Sequence, residues 1–282
     1  MKVFDMHIHI GEGAIDQNYL LDKMAESGVY GGGIISPVPE ENSGYRLPYG
    51  ERLKSVLDWT KGQEGRLIPI LFINPFEKDV LNKVKDAKES GVKAYKIICE
   101  DFTVDCPECM RLLGEIEKTG LPVMFHSGIL WSGTDSSKNN RPVLWESLMK
   151  FDNLKFSLAH CSWPWIDECI AVYGKFLNSY LTRQSSEMFF DTTPGTPKIY
   201  RKELLTKLFT VGYDVENNLM FGTDSLTTEY VPDWVGGWLR FDNEIMDELG
   251  VKNEVREKMF EKNFMRFLSG EDVEHNLPHI NK

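Results

Sequence analysis

No stretch of this 282-residue chain reaches the roughly 18 uninterrupted apolar residues that a membrane-spanning helix requires. The opening MKVFDMHIHIGEG sets charged and polar residues within its first dozen, so the apolar core of a signal peptide is missing there. Basic residues are the minority: 32 Lys and Arg against 43 Asp and Glu leave a formal charge of −11. That balance argues against nucleic acid, because counterion-release binding needs a clustered basic surface. Cysteines are few and odd in number. Cys99, Cys106, Cys109, Cys161 and Cys169 cannot all pair within one chain, and a chain of this size does not need staples. The expected setting is therefore reduced and cytoplasmic, with a small molecule, and neither a membrane nor nucleic acid, as partner. Histidine numbers only six, which makes each position informative.

What is present is an ordinary globular composition, 41% apolar and 27% charged. The length suits two small domains, or one large fold such as an α/β barrel of about 250 residues. Short β-rich runs stand at VFDMHIHI (3–10), GGIISPV (32–38), RLIPILFINP (66–75), VKAYKII (92–98), LPVMFHSG (121–128), LKFSLAH (154–160), MFFDTT (188–193) and LMFGTDS (219–225). Between them apolar residues recur at three- and four-residue spacing, as in Leu20, Met24 and Ala25, or Val80, Leu81, Val84 and Ala87. Glu89-Ser90-Gly91 and Lys118-Thr119-Gly120 close helices just before strands. Strands linked by crossover helices pair in parallel. Eight such cycles, with no linker or internal repeat, predict one (β/α)₈ TIM barrel spanning 1–282 as a single domain. An open, doubly wound sheet is the competing arrangement. Two long connections, 129–140 and 226–243, are expected to serve as lids or binding loops.

Four of the six histidines fall at or near the C-terminal ends of predicted strands: His7 and His9, His126, and His160. The other two, His275 and His279, lie in the polar tail. Alternation sets Asp5, His7 and His9 on one face of the first strand. In a barrel those strand ends share one rim, where active sites of this fold are built. The eighth run brings Asp224 to the same level. One His-x-His pair means little alone, and a lone His126 or His160 would ordinarily be a packed, hydrogen-bonded residue. Their joint placement is what describes a transition-metal shell, since imidazole and carboxylate favour zinc, iron or manganese over magnesium or calcium.

These residues carry a resemblance. The chain resembles the amidohydrolase superfamily, within it the amidohydrolase-related branch that includes aminocarboxymuconate semialdehyde decarboxylase. FDMHIHIG is similar to the family's opening strand, RLIPILFINP to its third and LMFGTDS to its last. KMFEKNFMRFLSG resembles its closing helix, although the small residues usual after the Asn are here Phe264 and Met265. By position, the resemblance implies that His7, His9, His126 and Asp224 hold one divalent metal. Zinc is foremost, with manganese or iron as alternatives. It also implies that His160 sits beside the ion, acting on substrate or on water.

The chemistry of the residues is compatible with those roles. Asp224 can both ligate and take a proton from water as general base. His160, with a reference pKa of about 6.5, can polarise a carbonyl or shuttle a proton. Asp5 reads as the partner of a ligand imidazole, or equally as a buried carboxylate bonded to barrel backbone. Lys96 has three readings: a carboxylated bridge between two metals, as in binuclear members of the superfamily, a cation for an anionic substrate, or a side chain aimed at the helix layer. One metal and a substrate contact is the preferred reading. Trp131 and Trp163 are candidate walls of the substrate site, or core. Arg46 and Arg52 are surface residues or carboxylate binders. Cys106-Pro-Glu-Cys109 is read as incidental for want of a second pair, and Gly31-Gly32-Gly33, preceding a strand, is not a phosphate loop. The expected activity is hydrolysis of a small lactone, cyclic amide or similar carbonyl compound. Non-oxidative decarboxylation of a small unsaturated or aromatic acid is the alternative, and a non-catalytic metal-containing module ranks third. Aromatic residues in the last long connection are compatible with a homodimer.

Overall fold

The computed structural model describes residues 1–183, 186–195, 197–273 and 275. Seven strands run in chain order: β1 (Phe4–His9), β2 (Gly31–Ile35), β3 (Leu67–Phe72), β4 (Ala94–Ile97), β5 (Val123–Phe125), β6 (Lys155–Leu158) and β7 (Glu187–Asp191). The eighth segment is divided into β8 (Leu219–Met220) and β9 (Ser225–Leu226). The sheet order is β8-β7-β6-β5-β4-β3-β2-β1-β9. Neighbours pair in parallel throughout, β8 on β7 and β9 on β1. Between the two short pieces, the Met6 N–H donates to the Phe221 carbonyl at 3.0 Å. The eighth segment therefore sews the first strand to the seventh, and the sheet closes as a (β/α)₈ barrel.

Parallel strands buried on both faces read as continuous apolar runs, and LIPILF of β3 is buried at every position. The helices are α1 (Gln17–Glu26), α2 (Tyr49–Thr60), α3 (Val80–Glu89), α4 (Pro107–Thr119), α5 (Ser136–Asn139), α6 (Ile166–Arg183), α7 (Arg201–Thr210) and α8 (Pro232–Glu248). Helix α4 shows the local logic. Pro107 opens its first turn, Gly120 ends it at φ 71°, and Cys109, Leu112, Leu113 and Ile116 form its buried stripe. Cys106 merely precedes that helix, and all five thiols are free.

One apolar cluster lies between strands and helices; a second fills the barrel interior with Met6, Ile70, Phe72, Met124, Phe189 and Met220. The closing helical stretch over 253–269 plugs that interior from below with buried Phe264 and Phe267. A large side chain at 264 is thus a packing requirement of this barrel. Glycines in β2 serve close approach: a Cβ on Gly32 would stand 2.2 Å from the Asp5 carbonyl oxygen, and one on Gly33 2.5 Å from that of Met6. They let β2 press against the strand that carries the histidines.

The expected loop at 226–243 ends at Val231, because α8 begins at Pro232. Gly236-Gly237 obscures the helical pattern in the sequence, yet Val235, Trp238, Asp242, Ile245 and Met246 are buried at helical spacing. His275 is buried, its ring nitrogens 3.2 Å from Asp214 and 3.3 Å from Glu187. His279 lies outside the described residues. Among those described, no helix is long and apolar enough to cross a membrane.

Candidate active site

Parallel closure brings the C-terminal strand ends to one rim, and most of them contribute a chemical group there. His7 and His9 come from β1, Lys96 from β4, His126 from the residue after β5, and Asp191 from the end of β7. Asp224 stands in the gap between β8 and β9 at φ 59°, its N–H donating to the His7 carbonyl at 3.0 Å. His160 does not end a strand as expected. β6 stops at Leu158, and Ala159–Ser162 form a short turn in which His160, Cys161 and Ser162 have φ of 58°, 43° and 59°. Residues held in the left-handed region cost about 1–3 kcal/mol each and persist where surrounding structure over-determines them. Gly195 makes room for that turn, since a Cβ there would lie 2.7 Å from the His160 ring. His7, His9, Lys96, His126, His160 and Asp224 line a cleft of about 390 Å³, with Asp191 behind His7.

His7 is the hub. Its Nδ1 lies 2.7 Å from Asp191 Oδ2, so that nitrogen carries the proton and Nε2 faces the cleft with its lone pair. His7 Nε2 is 3.1 Å from His9 Nε2, 3.3 Å from Lys96 Nζ and 3.6 Å from Asp224 Oδ1. Asp224 Oδ1 is also 3.4 Å from His9 Nε2. The ligand-type atoms of His7, His9 and Asp224 all lie within 4.8 Å of one another. His126 stands outside that group, its ring centroid 5.0 Å from that of His160, and its buried Nε2 has no hydrogen-bond partner among the described residues. Two imidazole nitrogens facing each other, an adjoining carboxylate and an orphaned buried nitrogen in the same cleft form a donor set that suits a divalent first-row ion. The four expected ligands thus divide into a tight group of three, with His126 across the cleft.

Electrostatics keep these groups in ligating and basic forms. Burial, reinforced by Lys96, pulls His7 down to about 4, although Asp191 and Asp224 pull the other way. Burial likewise depresses His126 and His160 and brings Lys96 to about 8. Burial would raise Asp191, but the charge and hydrogen bond of His7, with His160 and Lys96 beyond, hold it at about 2. Asp224 opens into the cleft; partial withdrawal from water would raise it, but His9 and His7 hold it well below the usual carboxylate range.

Of the two readings of Asp5, the geometry matches the buried carboxylate bonded to barrel backbone and not the imidazole partner. Its carboxylate accepts from the His7 backbone N–H, the Thr223 backbone and hydroxyl, and the Tyr230 hydroxyl, an anchor for the barrel seam. Burial outweighs those four bonds and pushes it up to about 7. Trp131 does line the cleft, standing 81% exposed at its mouth. Trp163 does not: its ring packs 5.9 Å from Tyr200 in a separate surface cleft, because the left-handed turn at 160–162 swings the chain outward. Lys96 is buried and points inward, which removes the helix-layer reading. Arg52 is consumed by Glu77 and the Leu47 and Phe72 carbonyls.

One group escaped the sequence reading. Asp191 ends the run MFFDTT, a strand-end carboxylate whose position matched that of Asp224 and was the available signal. Glu100, just beyond β4, lines the cleft wall. Replacing the carboxylate behind a ligand imidazole commonly costs about 10–100-fold in metal affinity. Asp191→Asn should therefore lose metal to a chelator about 10–100-fold more readily at unchanged fold. Retention equal to wild type would separate Asp191 from ion binding.

A family model described as amidohydrolase matches residues 4–269. No protein of curated function matches by sequence. Solved structures that share the fold include the following three. One from Acinetobacter baumannii, assigned as a 2-pyrone-4,6-dicarboxylic acid hydrolase with citric acid bound, is 12% identical at a TM-score of 0.61, covering 95% of this chain and 100% of its own. One from Staphylococcus aureus, described as an amidohydrolase, is 13% identical at 0.64, with coverage of 95% and 100%. Campylobacter jejuni dihydroorotase is 14% identical at 0.60, with coverage of 98% and 85%.

Proposed function

The chain belongs to the amidohydrolase family, and from that premise we propose that it is a metal-dependent hydrolase of a small carbonyl compound such as a lactone or cyclic amide. The observation that carries this reading is the convergence of His7, His9 and Asp224 within 4.8 Å at the floor of an open cleft. His7, His9 and Asp224 would hold the ion, with His126 completing the set, and zinc suits such nitrogen and oxygen donors. A divalent ion bound there supplies a Lewis acid and lowers the pKa of water to about 7.

The chain's own residues divide the remaining work. Asp224, kept ionised by His9 and His7, takes the proton of the attacking water and returns it to the leaving oxygen or nitrogen. The His160 Nδ1 faces the Thr193 carbonyl at 3.2 Å, so its tautomer leaves Nε2 free to accept from that water and orient it. Lys96, the cation at the cleft floor, steadies negative charge growing on the substrate carbonyl oxygen. One ion with Lys96 uncarboxylated is the proposed resting composition. Asp191 fixes His7 without touching substrate.

The test is a panel of lactones and cyclic amides run beside unsaturated and aromatic carboxylic acids, with metal content measured on the same preparation. Ring opening without carbon dioxide release, with one ion per chain, is the expected result. Carbon dioxide release from the acids, with the rings untouched, would replace hydrolysis by decarboxylation. Two tight ions per chain would make Lys96 a bridge.

A further inference from the structure

The lining of the cleft is of two kinds: Ile98, Ile129, Leu130, Trp131 and Pro194 are apolar, whereas Ser43 and Glu100 are polar. Glu100 is only 7% exposed, and both its oxygens face the Ser43 N–H at 3.0 and 3.2 Å. One backbone donor does not neutralise a carboxylate, which has about four acceptor sites to fill. Among the described residues, no Lys, Arg or His pairs with Glu100 by an ion pair, and Lys96 is the sole lysine or arginine lining the cleft. A carboxylate so far withdrawn from water is costly unless something supplies it with donors.

We propose that Glu100 is a specificity-determining residue that selects substrates carrying a cationic or hydrogen-bond-donating group on the edge away from the reacting carbonyl, and that rejects dicarboxylates. The proposal rests on the hydrolase reading for where the carbonyl sits. The substrate is then a small ring with its acceptor end toward Lys96 and the histidines, its flat face against Trp131 and Leu130, and a donor such as an ammonium or hydroxyl toward Glu100. A second carboxylate placed there would meet Glu100 with no countercharge.

Three ring compounds of similar size test this by calorimetric binding to the metal-loaded full chain: γ-butyrolactones substituted at position 5 with dimethylaminomethyl, hydroxymethyl or carboxylate. Wild type should bind the protonated amine about ten-fold or more tighter than the carboxylate, with the alcohol between them. Glu100→Gln, which retains an acceptor for Ser43, should compress that order to about three-fold or less. The wild-type order stands as a test by itself should the variant not fold. Equal or tighter binding of the carboxylate lactone, an order unchanged in Glu100→Gln, or no binding of any compound at about 10 mM overturns the proposal. Binding in the expected order without ring opening would leave Glu100 its role and remove the hydrolase reading. Ring opening without the order would do the reverse.

Discussion

Asp224→Asn is expected to cut kcat/KM by about 10²–10⁴-fold, the range a positioned general base contributes. The amide keeps the size of the side chain but loses the charge that His7 and His9 hold in place, and with it the ability to take a proton. Stability should barely move. The side chain is 40% exposed, into the cleft, and its partners are site imidazoles and not the core. A Tm within about 2–4 °C of wild type, together with lost turnover, would fit a catalytic role. Activity within a few-fold of wild type would sink it.

The largest expected effect on stability lies behind the site. Arg201 and Asp242 are both buried, and the guanidinium grips the carboxylate with two bonds, Nε to Oδ1 at 2.7 Å and Nη2 to Oδ2 at 2.6 Å. Arg201 also donates to the Thr192 carbonyl, next to Asp191. Asp242→Ala strands a buried guanidinium, and breaking one side of such a pair costs about 3–5 kcal/mol. Urea unfolding measures the loss directly. Because the same arginine steadies the end of β7, metal retention should weaken as well. A loss below about 1 kcal/mol would mean that the pair is dispensable to the fold.

The barrel and the family were legible in the chain because their signals are periodic and local: eight apolar runs, helices closed by glycine, and His7-x-His9 beside strand-end His126 and Asp224. What escaped depended on direction and not on residue type. Asp5 and Asp191 are both strand carboxylates, and only the closed barrel decides that Asp191 reaches the His7 ring while Asp5 turns to Thr223 and Tyr230. Trp163 follows His160 by three residues, but three consecutive left-handed residues at 160–162 send its ring to the outer surface. Helix α8 was hidden because Gly236-Gly237 reads as a turn, although burial of Val235, Trp238 and Asp242 outweighs the entropic cost of two glycines.

The divided eighth strand also bears on how the molecule comes into being. Thr223 and Asp5 are joined although they stand 218 positions apart, and Asp224 meets His7 and His9 along the same seam. Contacts of such long sequence separation are the slow ones to form, since loop-closure entropy must be overcome before they contribute. During synthesis the two histidines leave the ribosome at least 215 residues ahead of their carboxylate partner. Closing the barrel and assembling the site are consequently one event, and a nascent or truncated chain that stops before residue 224 holds the histidines without their carboxylate.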